Sequence, residues 1–226
     1  MRIRVFIYME KLKKIASYIW DVPIANYSSR YNPHLQVVWS GGKKMLHSKN
    51  ANYSYGSLHE VFSEACIRIS KEISEAKSIL VLGFGAGSIL HILEKNYNYQ
   101  NKVVGLDYDP IIFEIYQKHF APEIKLQAEL VISDAKKFLL TTNEKFDIIF
   151  IDLFQDLQTD SLLFSPELPN LLRTHLENNG TIVINTIIQN SEDKNAAFEL
   201  LINFGKTFKK VSTQDCHDLN RIIFAK

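Results

Sequence analysis

The chain has 226 residues, with 26 Lys+Arg against 25 Asp+Glu, a formal net charge of +1, and 46% hydrophobic against 23% charged residues. That balance suits one large domain, or a domain with a small appendage, and excludes a disordered chain; near-neutrality argues against duplex DNA or an anionic membrane as the dominant partner. Two cysteines, Cys66 and Cys216, exclude a disulfide framework and an all-cysteine zinc cluster, and fit a reducing cytoplasm, the expected location.

Met1 to Ile7 is basic and apolar, but Glu10, Lys11, Lys13 and Lys14 follow at once, so no signal peptide is expected. Met9 is an alternative start. No run approaches the roughly 18 apolar residues of a spanning helix. Leu12, Ile15, Ala16 and Ile19 share helical spacing. They predict a helix that caps the domain or makes a subunit contact, in preference to one lying on a membrane surface.

Leu35–Trp39 and Lys43–His47 read as two strands joined at Ser40-Gly41-Gly42, a hairpin. Ser57 and Glu60 have capping-box spacing and predict a helix to about Ala76, with Leu58, Val61, Phe62, Ala65 and Ile69 on its apolar face. From Ser78 strands and helices alternate. The strands are Ser78–Leu82, Lys102–Leu106, Leu130–Ile132, Asp147–Ile151 and Gly180–Ile184. The helices are Gly87–Lys95, Ile111–His119, Ala135–Thr141, Pro166–Asn178 and Asn195–Phe208. Val211–Thr213 and Arg221–Ala225 close the chain as an antiparallel pair. Strands apolar on both faces and separated by helices predict a doubly wound α/β sheet, mostly parallel, behind a small β-hairpin region. The expected division is residues 1–56 for the helix and hairpin and 57–226 for the sheet domain.

Such sheets bind ligands at the carboxyl ends of their strands. The first parallel strand ends in Gly83-Phe84-Gly85-Ala86-Gly87, either a cradle for a ligand or a tight strand-to-helix turn. Asp107 closes the second strand about 20 residues on, where a carboxylate grips a ribose diol. Asp109, before Pro110, reads as an N-cap. Asp134 follows the third strand and suits an adenine amino group or an N-cap equally. Asp152 ends the fourth. Acids or loops at four consecutive strand ends point to a nucleoside-bearing cofactor. Ser88 stands where the dinucleotide fingerprint has its third glycine, and no Gly-Lys-Ser/Thr follows, which excludes a P-loop. The G-x-G-x-G spacing is that of S-adenosylmethionine enzymes. His47, His59 and His217 lack metal-site spacing, and no metal is expected.

From Leu35 to Ala225 the chain resembles the spermidine synthase-like branch of class I S-adenosylmethionine-dependent transferases. The resemblance rests on Asn52-Tyr53-Ser54-Tyr55-Gly56, Val81-Leu-Gly-Phe-Gly-Ala-Gly87, Leu106-Asp-Tyr-Asp-Pro110, Ser133-Asp134-Ala135 and Phe146-Asp147-Ile-Ile-Phe-Ile-Asp152. It implies a Rossmann-like methyltransferase sheet with an antiparallel C-terminal strand, and a homodimer or higher oligomer. Asp107 would hold the ribose, Asp134 the adenine, and Asp152 would be the catalytic acid. The implied cofactor-binding set is Gly83, Phe84, Gly85, Ala86, Gly87, Asp107, Tyr108, Asp134, Ala135 and Asp152; Asp152 and Tyr55 are the catalytic candidates.

Four positions depart from the family. Ala86 replaces the loop acid that attracts the free amine of decarboxylated S-adenosylmethionine, and Gln155 replaces the second acid of the diamine site, with Asp156 beside it. Ser57 stands where the family has Glu, and Leu46 where a polyamine-binding Gln would lie. Leu153 and Phe154 are expected to line the substrate mouth, with Asn185 as a polar neighbour or ordinary packing. The first expectation is therefore methyl transfer from S-adenosylmethionine to a small-molecule acceptor, with no nucleic acid or membrane partner. The alternatives are an aminopropyltransferase using decarboxylated S-adenosylmethionine and a non-catalytic nucleoside-binding protein of the same fold.

Overall fold

The computed structural model describes residues 10–49, 52–54, 56–155, 158–216 and 219–226. A short helix α1 (residues 10–16) precedes a four-stranded antiparallel sheet of β1 (Val22–Tyr27), β2 (Leu35–Ser40), β3 (Lys43–His47) and β4 (Asn52–Ser54). The hairpin between β2 and β3 turns at Gly41 and Gly42, both with positive φ, as two-residue turns that follow strand twist require. The sequence shows two of these four strands. Pro23 and the register shift beside it hide β1, which pairs with β2.

The helix predicted over 57–76 is two: α2 (Ser57–Arg68) and α3 (Ser70–Glu75), broken at Ile69 (φ −110°, ψ 26°). The bend keeps both Ile69 and Ile73 buried on the sheet. Ser57 is not the N-cap. Gly56, at φ 63°, caps α2 without a side-chain bond, so the helix starts one residue earlier than a capping box would set it.

The main sheet follows as β5 (Ser78–Leu82), α4 (Ser88–Tyr97), β6 (Lys102–Asp107), α5 (Pro110–Ile115), β7 (Glu129–Ile132), α6 (Ala135–Thr141) and β8 (Phe146–Ile151). A two-strand ribbon, β9 (Phe154–Gln155) and β10 (Gln158–Thr159), comes next. Then come α7 (Leu168–Thr174), β11 (Leu176–Ile187), α8 (Ser191–Thr207), β12 (Val211–Cys216) and β13 (Asn220–Ala225). The strand order is β12-β13-β11-β8-β5-β6-β7, with β13 antiparallel to both neighbours and the other pairings parallel. This is the doubly wound sheet the alternation predicts.

Two predicted helices end differently. The turn after α5 widens into a π-helical turn, Tyr116–Phe120, which seats Tyr116 against Phe84 at 4.9 Å between ring centroids. The helix expected over 166–178 is only α7, because Pro169 lies in its first turn and Leu176 already pairs with Phe146 in the sheet.

Alternate strand residues feed two cores, as a sheet covered on both faces demands. Ile79, Val81, Ile148, Phe150, Val183 and Phe224 pack under α2 to α5, and the same cluster takes in Leu35, Val37 and Leu46 from the small sheet. Leu80, Leu82, Ile149, Ile151, Ile182 and Ile184 pack under α6 to α8. The small sheet is further tied down by Lys44 to Glu123 (2.8 Å), Tyr27 to His119 (2.7 Å) and Ser29 to Asp109 (2.5 Å). Leu12, Ile15 and Ile19 of the N-terminal segment are exposed. No helix among the described residues is long and apolar enough to cross a membrane.

Candidate functional site

The chain runs β5, β6, β7 in one direction across the sheet and then returns to β8 on the other side of β5. The order therefore reverses between β5 and β8, and the carboxyl ends of these strands are where sheets of this kind bind ligands. Gly83 and Asp152 stand there. The Gly83 and Phe84 amides both donate to the Leu106 carbonyl (3.0 and 2.8 Å), and the Asp152 amide donates to the Leu82 carbonyl (2.8 Å). These bonds tie the ends of β5, β6 and β8 into one rim.

Gly83 and Gly87 both lie at φ +84°. A Cβ on Gly83 would fall 2.1 Å from the main-chain oxygen of Asp152, and one on Gly87 2.7 Å from the Tyr116 ring. These glycines are thus required by protein packing, whatever the loop also does for a ligand. Phe84 turns its ring into the core, 5.7 Å from Phe113, over Gly105, whose missing Cβ makes room for it. Only its main chain remains on the loop. Ala86 is fully buried.

Asp107 is 4% exposed. Its carboxylate accepts from the amides of Asp109 (3.1 Å) and Gly85 (3.2 Å). Burial pushes its pKa up to about 6 against the pull of those amides, and Asp109 nearby adds to the rise. Asp109 caps α5 through the Ile111 amide (3.0 Å), as its position before Pro110 predicts. Tyr108 meets the edge of Tyr31 at 4.6 Å. Burial first, then the charges of Asp107, Asp109 and Asp160, push its phenol up to about 12. Tyr31 and Ser29 bring the loop before β2 to this rim, a contribution no motif in Ser28-Ser-Arg-Tyr31 announces.

Asp152 sits partly buried just past the end of β8. Burial pushes its pKa up to about 7, the Asn185 hydrogen bond pulls it down, and Asp107 pushes it up again. Asn185, fully buried on β11, donates to Asp152 Oδ1 at 3.0 Å. Among the described residues no ion pair includes Asp107 or Asp152.

The remaining candidates differ in exposure, although the Ser133 amide donates to the Asp107 carbonyl (3.1 Å) and so keeps the end of β7 beside that of β6. Asp134 is exposed and spends one oxygen on capping α6, accepting from the Lys137 amide at 2.9 Å. Ala135 is buried in the first turn of α6. Leu153 does not line a mouth; it is buried among Leu163, Leu168 and Leu172, because the chain dips into the core before β9. Leu46 is likewise core. Tyr55, Asp156 and His217 lie outside the described residues.

A doubly wound sheet with a glycine turn and acids at successive strand ends is the arrangement of ligand-binding open α/β folds. Its solved counterparts agree. The fold matches spermidine synthase in complex with the transition state analogue AdoDATO (TM-score 0.64, 17% identity, 90% of this chain and 72% of that one). It also matches human methyltransferase-like protein 13 in complex with SAH (TM-score 0.62, 16% identity, 76% and 82%). The spermine/spermidine synthase domain profile matches residues 59–218, and the chain belongs to that family. Among relatives, the polyamine aminopropyltransferase of Saccharolobus solfataricus is 34% identical over 114 residues, and the probable polyamine aminopropyl transferase of Bifidobacterium longum 27% over 110. The chain covers 38% and 24% of their lengths, and the matches take in 47% and 49% of this chain.

Proposed function

We propose that the protein transfers an aminopropyl group from decarboxylated S-adenosylmethionine to a small amine, the reading that family membership and the names of its relatives favour over methyl transfer. The observation that carries it is the pair Asp107 and Asp152 at neighbouring strand ends, close enough that the charge of Asp107 pushes the Asp152 pKa up, with no ion-pair partner among the described residues. Such a site repels a carboxylate-bearing ligand and favours a cationic one. Decarboxylated S-adenosylmethionine carries an ammonium and a sulfonium and no carboxylate, and the residues present fit that charge. When bound, the cofactor supplies a carbon on the sulfonium that is activated for in-line displacement.

In this reading Asp107 takes the ribose hydroxyls, its orientation fixed by the Gly85 and Asp109 amides. Asp152 accepts the proton that the acceptor nitrogen sheds as the nitrogen–carbon bond forms and the carbon–sulfur bond breaks. A base near pKa 7 is matched to that task at neutral pH. The test is calorimetric titration with decarboxylated and ordinary S-adenosylmethionine, followed by an assay for methylthioadenosine with a panel of di- and polyamines. Tighter binding of the decarboxylated form and release of methylthioadenosine support the proposal. Methyl transfer is the second reading, favoured by Ala86 in place of a loop acid, and tighter binding of ordinary S-adenosylmethionine would select it.

A further inference from the structure

Asp152 is held by a chain of side chains that runs across the sheet. In the parallel pairing of β11 with β8, Ile184 stands opposite Ile151, so Asn185 comes level with Asp152 one step further. Asn185 Nδ2 donates to Asp152 Oδ1, and Asn185 Oδ1 in turn accepts from Asn220 Nδ2, each at 3.0 Å. Asn220 reaches it from β13, where it pairs with Ile187 in the antiparallel register. Asn185 is fully buried, so both ends of its amide need partners, and they have them.

A primary amide has a donor end and an acceptor end. With Asn220 donating to it, the carbonyl end of Asn185 faces β13 and the NH2 end must face the acid. We infer that Asn185 and Asn220 are positioning residues for Asp152, with Asn220 fixing which end of the Asn185 amide the carboxyl meets. An NH2 group aimed at Oδ1 favours the ionised carboxylate and fixes its plane; a flipped amide would offer it a lone pair instead. The amide pair thus works against two influences that favour the protonated acid, burial and the charge of Asp107 on β6. The nearby charge on β13, Arg221, is spent on Asp215 of β12 (2.5 Å). The chemical consequence rests on the reading of Asp152 as proton acceptor. The geometry does not.

The experiment follows the titration of the Asp152 carboxyl by 13C NMR in the whole ligand-free protein, the resonance being assigned by its loss in Asp152→Asn. Asn185→Leu removes the donor and should raise the apparent pKa by about 1–2 units, the worth of a hydrogen bond to a charged group. Asn220→Leu, similar in size, uncharged and unable to donate, should raise it by roughly half a unit or more by releasing the Asn185 amide. It also serves if Asn185→Leu fails to fold. Asn190→Ala, at the exposed start of α8, should leave the titration unmoved. A shift below roughly 0.2 unit in Asn220→Leu, with the fold intact, would overturn the inference. The two proposals fail separately. A protein that shifts as described but turns over no amine retains the amide pair and loses the transferase reading; an active transferase with an unmoved titration does the reverse.

Discussion

Replacing Gly83 by alanine tests whether the glycine turn and the acid at β8 are mechanically one piece. At φ +84° any L-residue incurs the left-handed penalty, about 1–2 kcal/mol. The added Cβ would also lie 2.1 Å from the main-chain oxygen of Asp152 and 2.8 Å from its carbonyl carbon. These are backbone atoms, and the Asp152 amide is already tied to Leu82, so neither side can rotate away. Overpacking of this kind costs about 1–3 kcal/mol more, for a total of about 2–5 kcal/mol. Gly41→Ala is the matched control: its φ is +54°, but nothing lies within 4 Å of the new Cβ, so only the first cost applies. Urea denaturation of both variants gives the comparison directly. The Gly83 variant should also bind cofactor at least about tenfold more weakly, since relief of the clash moves Asp152. Equal destabilisation of the two variants, within about 0.5 kcal/mol, would refute the tight approach as the reason for Gly83.

Other outcomes follow from the same geometry. Asp107 and Asp152 titrate near 6 and 7 when folded against 3.8 unfolded, so the native state holds extra protons between those values. Stability of the ligand-free protein should therefore fall as pH rises from about 4 to about 7, and Asp152→Asn should flatten that slope in a pH series of denaturation curves. Binding a cation at pH 7 should release roughly half a proton from Asp152, read as a dependence of calorimetric enthalpy on buffer ionisation. Asp109→Ala removes the α5 cap and the Ser29 anchor together and should cost about 1–3 kcal/mol, measured by chemical denaturation. Phe150→Ala empties the space beneath Phe62, 6.0 Å away between centroids, and should cost about 3–5 kcal/mol with turnover per folded molecule retained.

The parallel sheet was readable from sequence because its strands are apolar on both faces and the helices between them carry a different period. The β2–β3 hairpin was readable from Gly41-Gly42. What escaped was decided by partners distant in sequence. Val22–Tyr27 carries a proline and no clean alternation, and is a strand only because β2 lies beside it. Leu176 looks helical until Phe146 pairs with it. The strand-end acids were visible as residue types, but not their environments: Asp107 is buried, whereas Asp134 is exposed with one oxygen capping α6. Asn185 carried only a faint signal, and Asn220 none, because the bond between them depends on the antiparallel return of β13.

That return has a consequence for how the protein is made. β13 is the last strand in chain order, yet it lies between β12 and β11, against a row formed by Ile182, Val183 and Ile184. During synthesis the five parallel strands emerge first, and until residues 220–225 follow, β11 presents a bare apolar edge of the kind that recruits other chains. A ribosome that stalls late, or a protease that clips this strand, would leave a product that is sticky and chemically unfinished at once. Quality control can therefore recognise by its exposed edge the same molecules whose Asp152 has not yet acquired its full set of neighbours.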